Sequence, residues 1–305
     1  MRVLTVGGAG FIGSHLTERL LAEGHTVDVV DHLGTGSLAN LADARQAGGP
    51  LKIHTLDAAA AEFDSVVAMR EPDVIYHLGL LPPGAPAEHT AAATLASLMS
   101  VLEAARRQSA RRHEGVKVVV ALSAVSLYGD VPSKDQPIKE SQPWNPVGVR
   151  GVVTRTIAEL LAAYREHHAV EYTALALATV YGPRQRPDGG VVGAFAHALR
   201  EDIAPVVHGD GRQTRDFLYI DDAVDALVRA ALKGSGLVIN VGTGVSTSIR
   251  DVWDMVAGPS GRAPAASPRR NDDVSRFALA PTRARIHLAW APWTDLSTGL
   301  RTLHR

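Results

Sequence analysis

The chain has 305 residues and no cysteine, which excludes disulfides, thiolate metal sites and a cysteine nucleophile. It has no lysine or arginine block and a formal net charge of −1, so neither nucleic acid nor an anionic membrane is expected as its main partner. The short runs Arg106-Arg107 and Arg111-Arg112 read as a solvated helix end. No apolar run approaches the roughly 18 residues of a membrane helix. No charged leader precedes the first strand-like run, so a cytoplasmic protein with no membrane and no metal partner is expected. Internal repeats are missing as well, and the one low-complexity stretch, Gly258 to Pro268, reads as an exposed loop.

What is present begins at the N-terminus. Met1 to Val6 is a short apolar run, followed by Gly7-Gly8-Ala9-Gly10-Phe11-Ile12-Gly13 and then a helix-like segment from Ser14. Strand, glycine turn and helix in that order let the backbone approach a pyrophosphate and aim amide N–H groups at it from a positive helix end. A second apolar run, Thr26 to Val30, ends in Asp31. A carboxylate at that strand end accepts hydrogen bonds from both ribose hydroxyls of an adenosine and repels a 2′-phosphate, so NAD is favoured over NADP. Glycines also serve ordinary turns; the strand before, the helix after and the acid at the right distance are what favour a dinucleotide here.

Further strand-like runs lie at Leu51 to Leu56, Asp73 to His77, Val116 to Leu122 and Tyr172 to Leu177, with helical candidates at 14–23, 61–70, 89–112 and 150–167 between them. Strict alternation predicts an α/β fold, a Rossmann-type doubly wound parallel sheet whose ligands sit beyond the carboxyl ends of the strands. Asp57, Leu78 and Gly79, and the segment Ser123 to Tyr128, occupy such ends. After Tyr181 turns break the rhythm, at Gly182-Pro183, Pro187-Asp188-Gly189-Gly190 and Gly209-Asp210-Gly211. A dinucleotide-binding domain over 1–180 and a smaller C-terminal substrate lobe over 181–305 are expected, with the chain crossing between the two.

Together these residues resemble the extended short-chain dehydrogenase/reductase family, the nucleotide-sugar epimerases and dehydratases, over nearly the whole chain. Val3 to Leu16 resembles the family's first strand and glycine turn, with Val6 where threonine is usual; Val29 to Gly36 resembles its second strand and ribose-binding turn; Pro72 to Leu78 matches its fourth strand. Val180-Tyr181-Gly182-Pro183-Arg184-Gln185 and His208 to Phe217 are close to its pattern in the second lobe. The resemblance implies NAD held by Gly7, Gly10, Phe11, Ile12, Gly13, Asp31, His32, Thr35, Gly36, Asp57, Leu78 and Gly79. It also implies a nucleotide-linked substrate held by Thr179, Arg184, Arg215, Arg270 and Asp273, where a guanidinium fork suits phosphate and a carboxylate suits ribose. Surface ion pairing is the alternative for Arg215, Arg270 and Asp273.

The same resemblance exposes a gap. Family members use a serine or threonine, a tyrosine and a lysine for proton transfer; the gapless match of Asn145 to Thr154 places Arg150 at the tyrosine and Thr154 at the lysine, and counting back from Tyr128 places Ala124 at the serine. Val125 and Ser126 stand where sugar dehydratases carry an acidic pair, and Thr94 and Thr179 where asparagines are usual. Arginine has no accessible neutral form and cannot act as the acid/base. Two readings follow: a divergent NAD-dependent enzyme with Arg150 as an electrostatic clamp and Tyr128, His77, Ser126 or Ser123 as the nearest proton-transfer candidates, a structural role being the alternative for each, or a non-catalytic NAD- and nucleotide-binding scaffold. In a third, a tyrosine reaches the site from elsewhere, but Tyr164 lies roughly 21 Å along the same helix. The resemblance also implies a homodimer through the helices near 89–112 and 150–167, using Leu95, Leu98, Leu102, Ile157, Leu160, Leu161 and Tyr164; burial inside the subunit explains the same spacing.

Overall fold

A computed structural model of the chain describes residues 1–79, 81, 86–113, 115–258, 261–269 and 273–304. Its first part alternates strands β1 (Arg2–Val6), β2 (Thr26–Asp31), β3 (Leu51–Thr55), β4 (Val74–His77), β5 (Lys117–Ser123) and β6 (Tyr172–Leu177) with helices α1 (Phe11–Ala22), α2 (Ala42–Gln46), α3 (Glu62–Arg70), α4 (Ala87–Arg112), α5 (Ala124–Tyr128) and α6 (Gly148–His168). The second part contains β7 (Thr179–Tyr181), α7 (Val191–Arg200), β8 (Val206–His208), β9 (Thr214–Arg215), β10 (Phe217–Tyr219), α8 (Ile220–Ala230), β11 (Leu237–Val241), β12 (Thr247–Ser248), α9 (Ile249–Ala257), β13 (Ala265–Ser267), α10 (Thr282–Leu288) and α11 (Leu296–Arg301).

Seven strands form one parallel sheet in the order β11-β6-β5-β4-β1-β2-β3. Strands covered on both faces need continuous apolar sequence rather than alternation. Val27, Val29 and Val30, and Val118 to Val120, meet that need, with 0% of each exposed. Two cores result. Leu16 and Leu20 of α1 pack with Ala223 and Leu227 of α8 in one, and Leu98 and Leu102 of α4 pack with Ile157 and Leu161 of α6 in the other. The strand order reverses between β1 and β4, which opens a crevice beyond their carboxyl ends.

Strand β11 was not expected from the sequence and comes from the second part of the chain to pair with β6. Helix α8 likewise returns to pack on α1, where Arg19 and Asp225 approach to 3.4 Å. The remaining second part has three two-stranded sheets and the α7–α9 pair, joined by Phe195 and Trp253 with ring centres 5.1 Å apart. Asp216, fully buried, holds this region to the main sheet's end by accepting from Thr243 N (2.9 Å), Thr243 Oγ1 (2.6 Å), Gly244 N (3.0 Å) and Leu279 N (3.1 Å).

The apolar positions assigned to a homodimer are largely consumed inside the subunit. Leu98, Leu102, Ile157, Leu161 and Tyr164 are buried between α4 and α6, and Leu95 and Leu160 are half-buried against them. The outward apolar residues of these helices include Met99, Val149 and Val152. No helix among the described residues is long and apolar enough to cross a membrane.

Candidate functional site

The crevice at the strand reversal is a cleft of about 510 Å³. Eleven of the twelve residues expected at a cofactor line it: Gly7, Gly10, Phe11, Ile12, Gly13, Asp31, His32, Thr35, Asp57, Leu78 and Gly79. Gly36 lies just behind them, against Ala9 and Asp31. The glycine turn is tight at two positions. Gly7 has φ +79°, and a Cβ there would stand 2.8 Å from Gly79 N; a Cβ on Gly13 would stand 2.1 Å from Gly7 O. Helix α1 starts from Gly10 with no side-chain cap and no acid in its first turn, so its first amides keep their positive end free of a side-chain cap.

Asp31 closes β2 with its carboxylate fixed by the backbone: Oδ2 accepts from Ala9 N at 2.9 Å and Oδ1 from Leu33 N at 2.8 Å. Each oxygen keeps a second lone pair, and the side chain lines the cleft. A cradle that any Cβ would fill, an uncapped helix end and a positioned carboxylate fit the phosphates and ribose of an adenine dinucleotide.

Sequence reasoning missed two walls of this cleft. Thr90, Ala93, Thr94 and Ser97 of α4 form one. The hydroxyls at 90, 94 and 97 carry a readable signal, since i, i+4 and i+7 share a helix face. Behind Ser97 stands His77, fully buried, with Nε2 and Ser97 Oγ 2.9 Å apart. Burial pushes the His77 imidazole down to about 4. Gln185, Arg186, Asp188 and Gly189 of the second part form the other wall. Arg186 is paired with Asp188 (2.9 and 2.8 Å) and donates to Thr35 O at 3.3 Å. The turn residues Asp188 and Gly189 were visible in sequence, but their destination was not.

The residues expected to do chemistry are placed differently. Ser123 caps α5, its Oγ accepting from Ser126 N (3.4 Å) and Ser126 Oγ (3.0 Å), and is exposed. Ala124 is fully buried. Tyr128, offered as a proton-transfer candidate, points into the core: it is fully buried and donates to Asn240 Oδ1 at 2.8 Å. Burial pushes its phenol well above the ordinary value, and it does not line the cleft. Arg150 donates from Nη1 to Leu81 O at 2.9 Å. Thr154 is buried and bonds back to Arg150 O at 2.8 Å, one turn earlier. None of Ser123, Ser126, Tyr128, Arg150 and Thr154 is among the residues that line the cofactor cleft.

Among the residues expected at a substrate nucleotide, Arg215 and Asp273 come together as an ion pair that is mostly buried. Arg215 Nη1 also donates to Thr214 O (2.8 Å) and Val274 O (2.7 Å). Burial lowers the Arg215 guanidinium below its usual range and Asp273 opposes that shift. Arg269 joins the group by donating to Asp273 O at 3.1 Å. Thr179 lies on β7 in register with Phe217, its N–H bound to Asp216 O at 2.9 Å. Arg184 is not with them: it reaches α1 and α2, pairing with Glu18 at 2.7 Å and Asp43 at 3.2 Å and donating to Ser14 Oγ at 3.3 Å. Arg270 lies outside the described residues. Among the described residues, no group of three or more His, Asp or Glu is placed to hold a metal ion.

Comparison with known proteins agrees with this fold. The chain is 37% identical to a UDP-glucose 4-epimerase of Mycolicibacterium smegmatis across 98% of its own length and 96% of the relative's. A UDP-glucose 4-epimerase of Thermotoga maritima, solved with UDP-glucose, superposes with a TM-score of 0.90 at 27% identity, covering 99% of this chain and 97% of that one. A UDP-glucose 4-epimerase of Thermus thermophilus, solved with NAD, superposes with a TM-score of 0.88 at 28% identity, covering 100% and 98%. Residues 3–242 match the model of the NAD dependent epimerase/dehydratase family. With its Rossmann-type sheet, glycine turn and strand-end acid, the chain belongs to that family, whose cofactor is NAD.

Proposed function

We propose that the chain binds NAD in the 510 Å³ cleft and a nucleotide-linked sugar, or a related phosphorylated keto substrate, against the smaller lobe. In this reading it is a divergent epimerase/dehydratase without a tyrosine–lysine proton relay. One observation carries the reading: a full dinucleotide cradle accompanies a helix α6 that bears Arg150 and Thr154 where the family resemblance expects tyrosine and lysine.

Asp31 accepts the adenosine ribose hydroxyls and repels a 2′-phosphate, while the first amides of α1 hold the pyrophosphate. Bound NAD supplies a hydride acceptor. Arg215 and Asp273 hold the substrate's diphosphate and ribose. Arg150 stays cationic and steadies a developing oxyanion or a carboxylate instead of moving a proton. Exposed Ser123 and half-buried Ser126, which share a 3.0 Å hydrogen bond, supply hydroxyls at the start of α5. General acid/base catalysis typically contributes about 10²–10⁴-fold, so turnover lower by a factor of that order is the expected consequence.

The test is to incubate the purified protein with NAD and a panel of UDP- and other nucleotide sugars, following reduced-nicotinamide absorbance and product masses. Slow conversion of one member supports the reading. Tight binding of NAD and sugar nucleotide with no conversion favours the second reading, a non-catalytic NAD- and nucleotide-binding protein, for which the buried, back-bonded Thr154 speaks. Failure to bind NAD would sink both.

A further inference from the structure

The cofactor cleft is bounded on one side by a piece of the smaller lobe, Pro183 to Gly189, that reaches back onto the main sheet's helices and turns. Its first contacts are firm. His15 of α1 donates from Nε2 to Pro183 O at 3.0 Å, and Arg184 engages Glu18, Asp43 and Ser14. Arg184 has φ +67°, a left-handed conformation that non-glycine residues adopt only where surrounding contacts enforce it. Its side chain is only about one-fifth exposed.

The far end of the segment is held differently. Arg186 and Asp188 are about half exposed, and a single 3.3 Å hydrogen bond from Arg186 Nη1 to Thr35 O joins them to the turn after Asp31. Asp188 grips the guanidinium with both oxygens and so aims it. Gln185 makes the segment one unit, its Nε2 donating to Val180 O and Gly189 O, each at 3.2 Å. Just beyond lie Gly189 and Gly190, and Gly190 has φ +142°, backbone that glycine adopts freely. One end is therefore anchored by a half-buried ion pair to Glu18 and the other by an exposed contact next to a pair of glycines. Gln185, Arg186, Asp188 and Gly189 all face the cleft.

We propose that residues 183–189 form a strap that gates cofactor exchange, with His15 and Arg184 as its fixed anchor and the Arg186–Asp188 pair as a latch on the Thr35 turn. The strap rests on the reading that the cleft holds NAD. A gate differs from an ordinary ligand contact in its kinetics. Losing a contact speeds release and leaves association unchanged. Losing a latch speeds both, because the same opening serves entry and exit.

The experiment loads the protein with 1,N6-etheno-NAD and chases it with excess NAD, and separately mixes cofactor-free protein with etheno-NAD, each by fluorescence. Arg186→Ala and Asp188→Asn are expected to raise both release and association about tenfold; since both residues line the cleft, Kd is free to shift, and the test is that the two rates rise together. Arg186 is exposed, so the variants keep their fold, and Arg186→Gln provides a milder check. Exposed ion pairs are screened by salt; high ionic strength therefore accelerates exchange in the wild type and leaves Arg186→Ala unaffected. Unchanged exchange in the Arg186 variants, or faster release with unchanged association, overturns the strap. A wild-type protein that takes up neither NAD nor etheno-NAD overturns the cofactor reading instead.

Discussion

Two regions at the carboxyl ends of the same parallel sheet are built in opposite ways. Around β1 and β2 the protein leaves groups unspent: a helix end without a cap, carboxylate lone pairs on Asp31 and a floor with no room for side chains. Around β5 and α6 it spends nearly all of them on itself. Tyr128 is bonded to Asn240, Thr154 to its own helix and Arg150 Nη1 to Leu81 O. Ligand binding needs donors and acceptors that the fold has not already satisfied. By that measure the first region is equipped to take a ligand, and the second is mostly framework around an exposed Ser123 and a half-buried Ser126.

The sharpest way to break the comparison is at Gly13. A Cβ there would meet Gly7 O at 2.1 Å and Gly8 Cα at 2.7 Å, both backbone atoms that cannot swing aside. Gly13→Ala must therefore open the turn. NAD affinity should fall by more than about 100-fold, roughly 3 kcal/mol, with a stability loss of about 1–3 kcal/mol for the overpacking. Isothermal titration with NAD and urea unfolding measure the two effects. Retained affinity would mean that the turn does not hold the cofactor.

These two regions were not equally legible in the sequence. The sheet was readable because its central strands are largely apolar runs, with Asp28 of β2 tolerated by pairing with Arg70 (2.7 Å) and His54 (2.9 Å), and the glycine turn because its logic is local, spanning seven consecutive positions and one acid. Strand β11 escaped because it sits among the turns of the second part and carries Asn240, a polar residue that is fully buried and whose side chain bonds Tyr128 and Ile138. The resemblance implies a substrate nucleotide for Arg184, and nothing local reveals that its partners Ser14 and Asp43 lie 170 and 141 residues away. Tyr128 lies just after a strand end in the sequence, and nothing local shows that its phenol turns inward to Asn240. The direction in which a short helix turns its side chains depends on what packs behind it, which no spacing rule contains.

A second prediction concerns the wall behind Ser97. The His77 imidazole is held near 4 in the folded chain by burial, against an ordinary value of 6.5. Folding thus favours its neutral form. That contribution is complete above about pH 6.5 and is lost as pH falls toward 4, about 3 kcal/mol across the window. Asp222 acts with the opposite sign. Burial pushes its carboxyl up to about 6, so its contribution is present below 3.8 and lost as pH rises through 6. The two partly offset, and the informative quantity is the difference between wild type and His77→Gln, which keeps a partner for Ser97 and does not titrate. Urea unfolding from pH 7 to pH 4 should show the wild type losing more stability than the variant. Parallel curves would mean that His77 is not sealed from water beside the cleft.

The smallest expected effect is the most direct test of which region does chemistry. Tyr128→Phe removes the hydroxyl that donates to Asn240 Oδ1, while Asn240 keeps its bonds to Ile138 O and Glu140 Oε1 at 2.9 Å each. A buried acceptor is left unsatisfied, and the cost should be about 1–2 kcal/mol of stability. NAD affinity, and the conversion rate of any nucleotide sugar that is turned over, should match the wild type below the melting range, because a fully buried phenol has no path to a substrate. A drop in conversion of about 10²–10⁴-fold at unchanged NAD affinity is what the loss of an acid/base group produces. That result would move Tyr128 from framework to active site, and the contrast between an open nucleotide cradle and a self-satisfied β5–α6 corner would no longer hold.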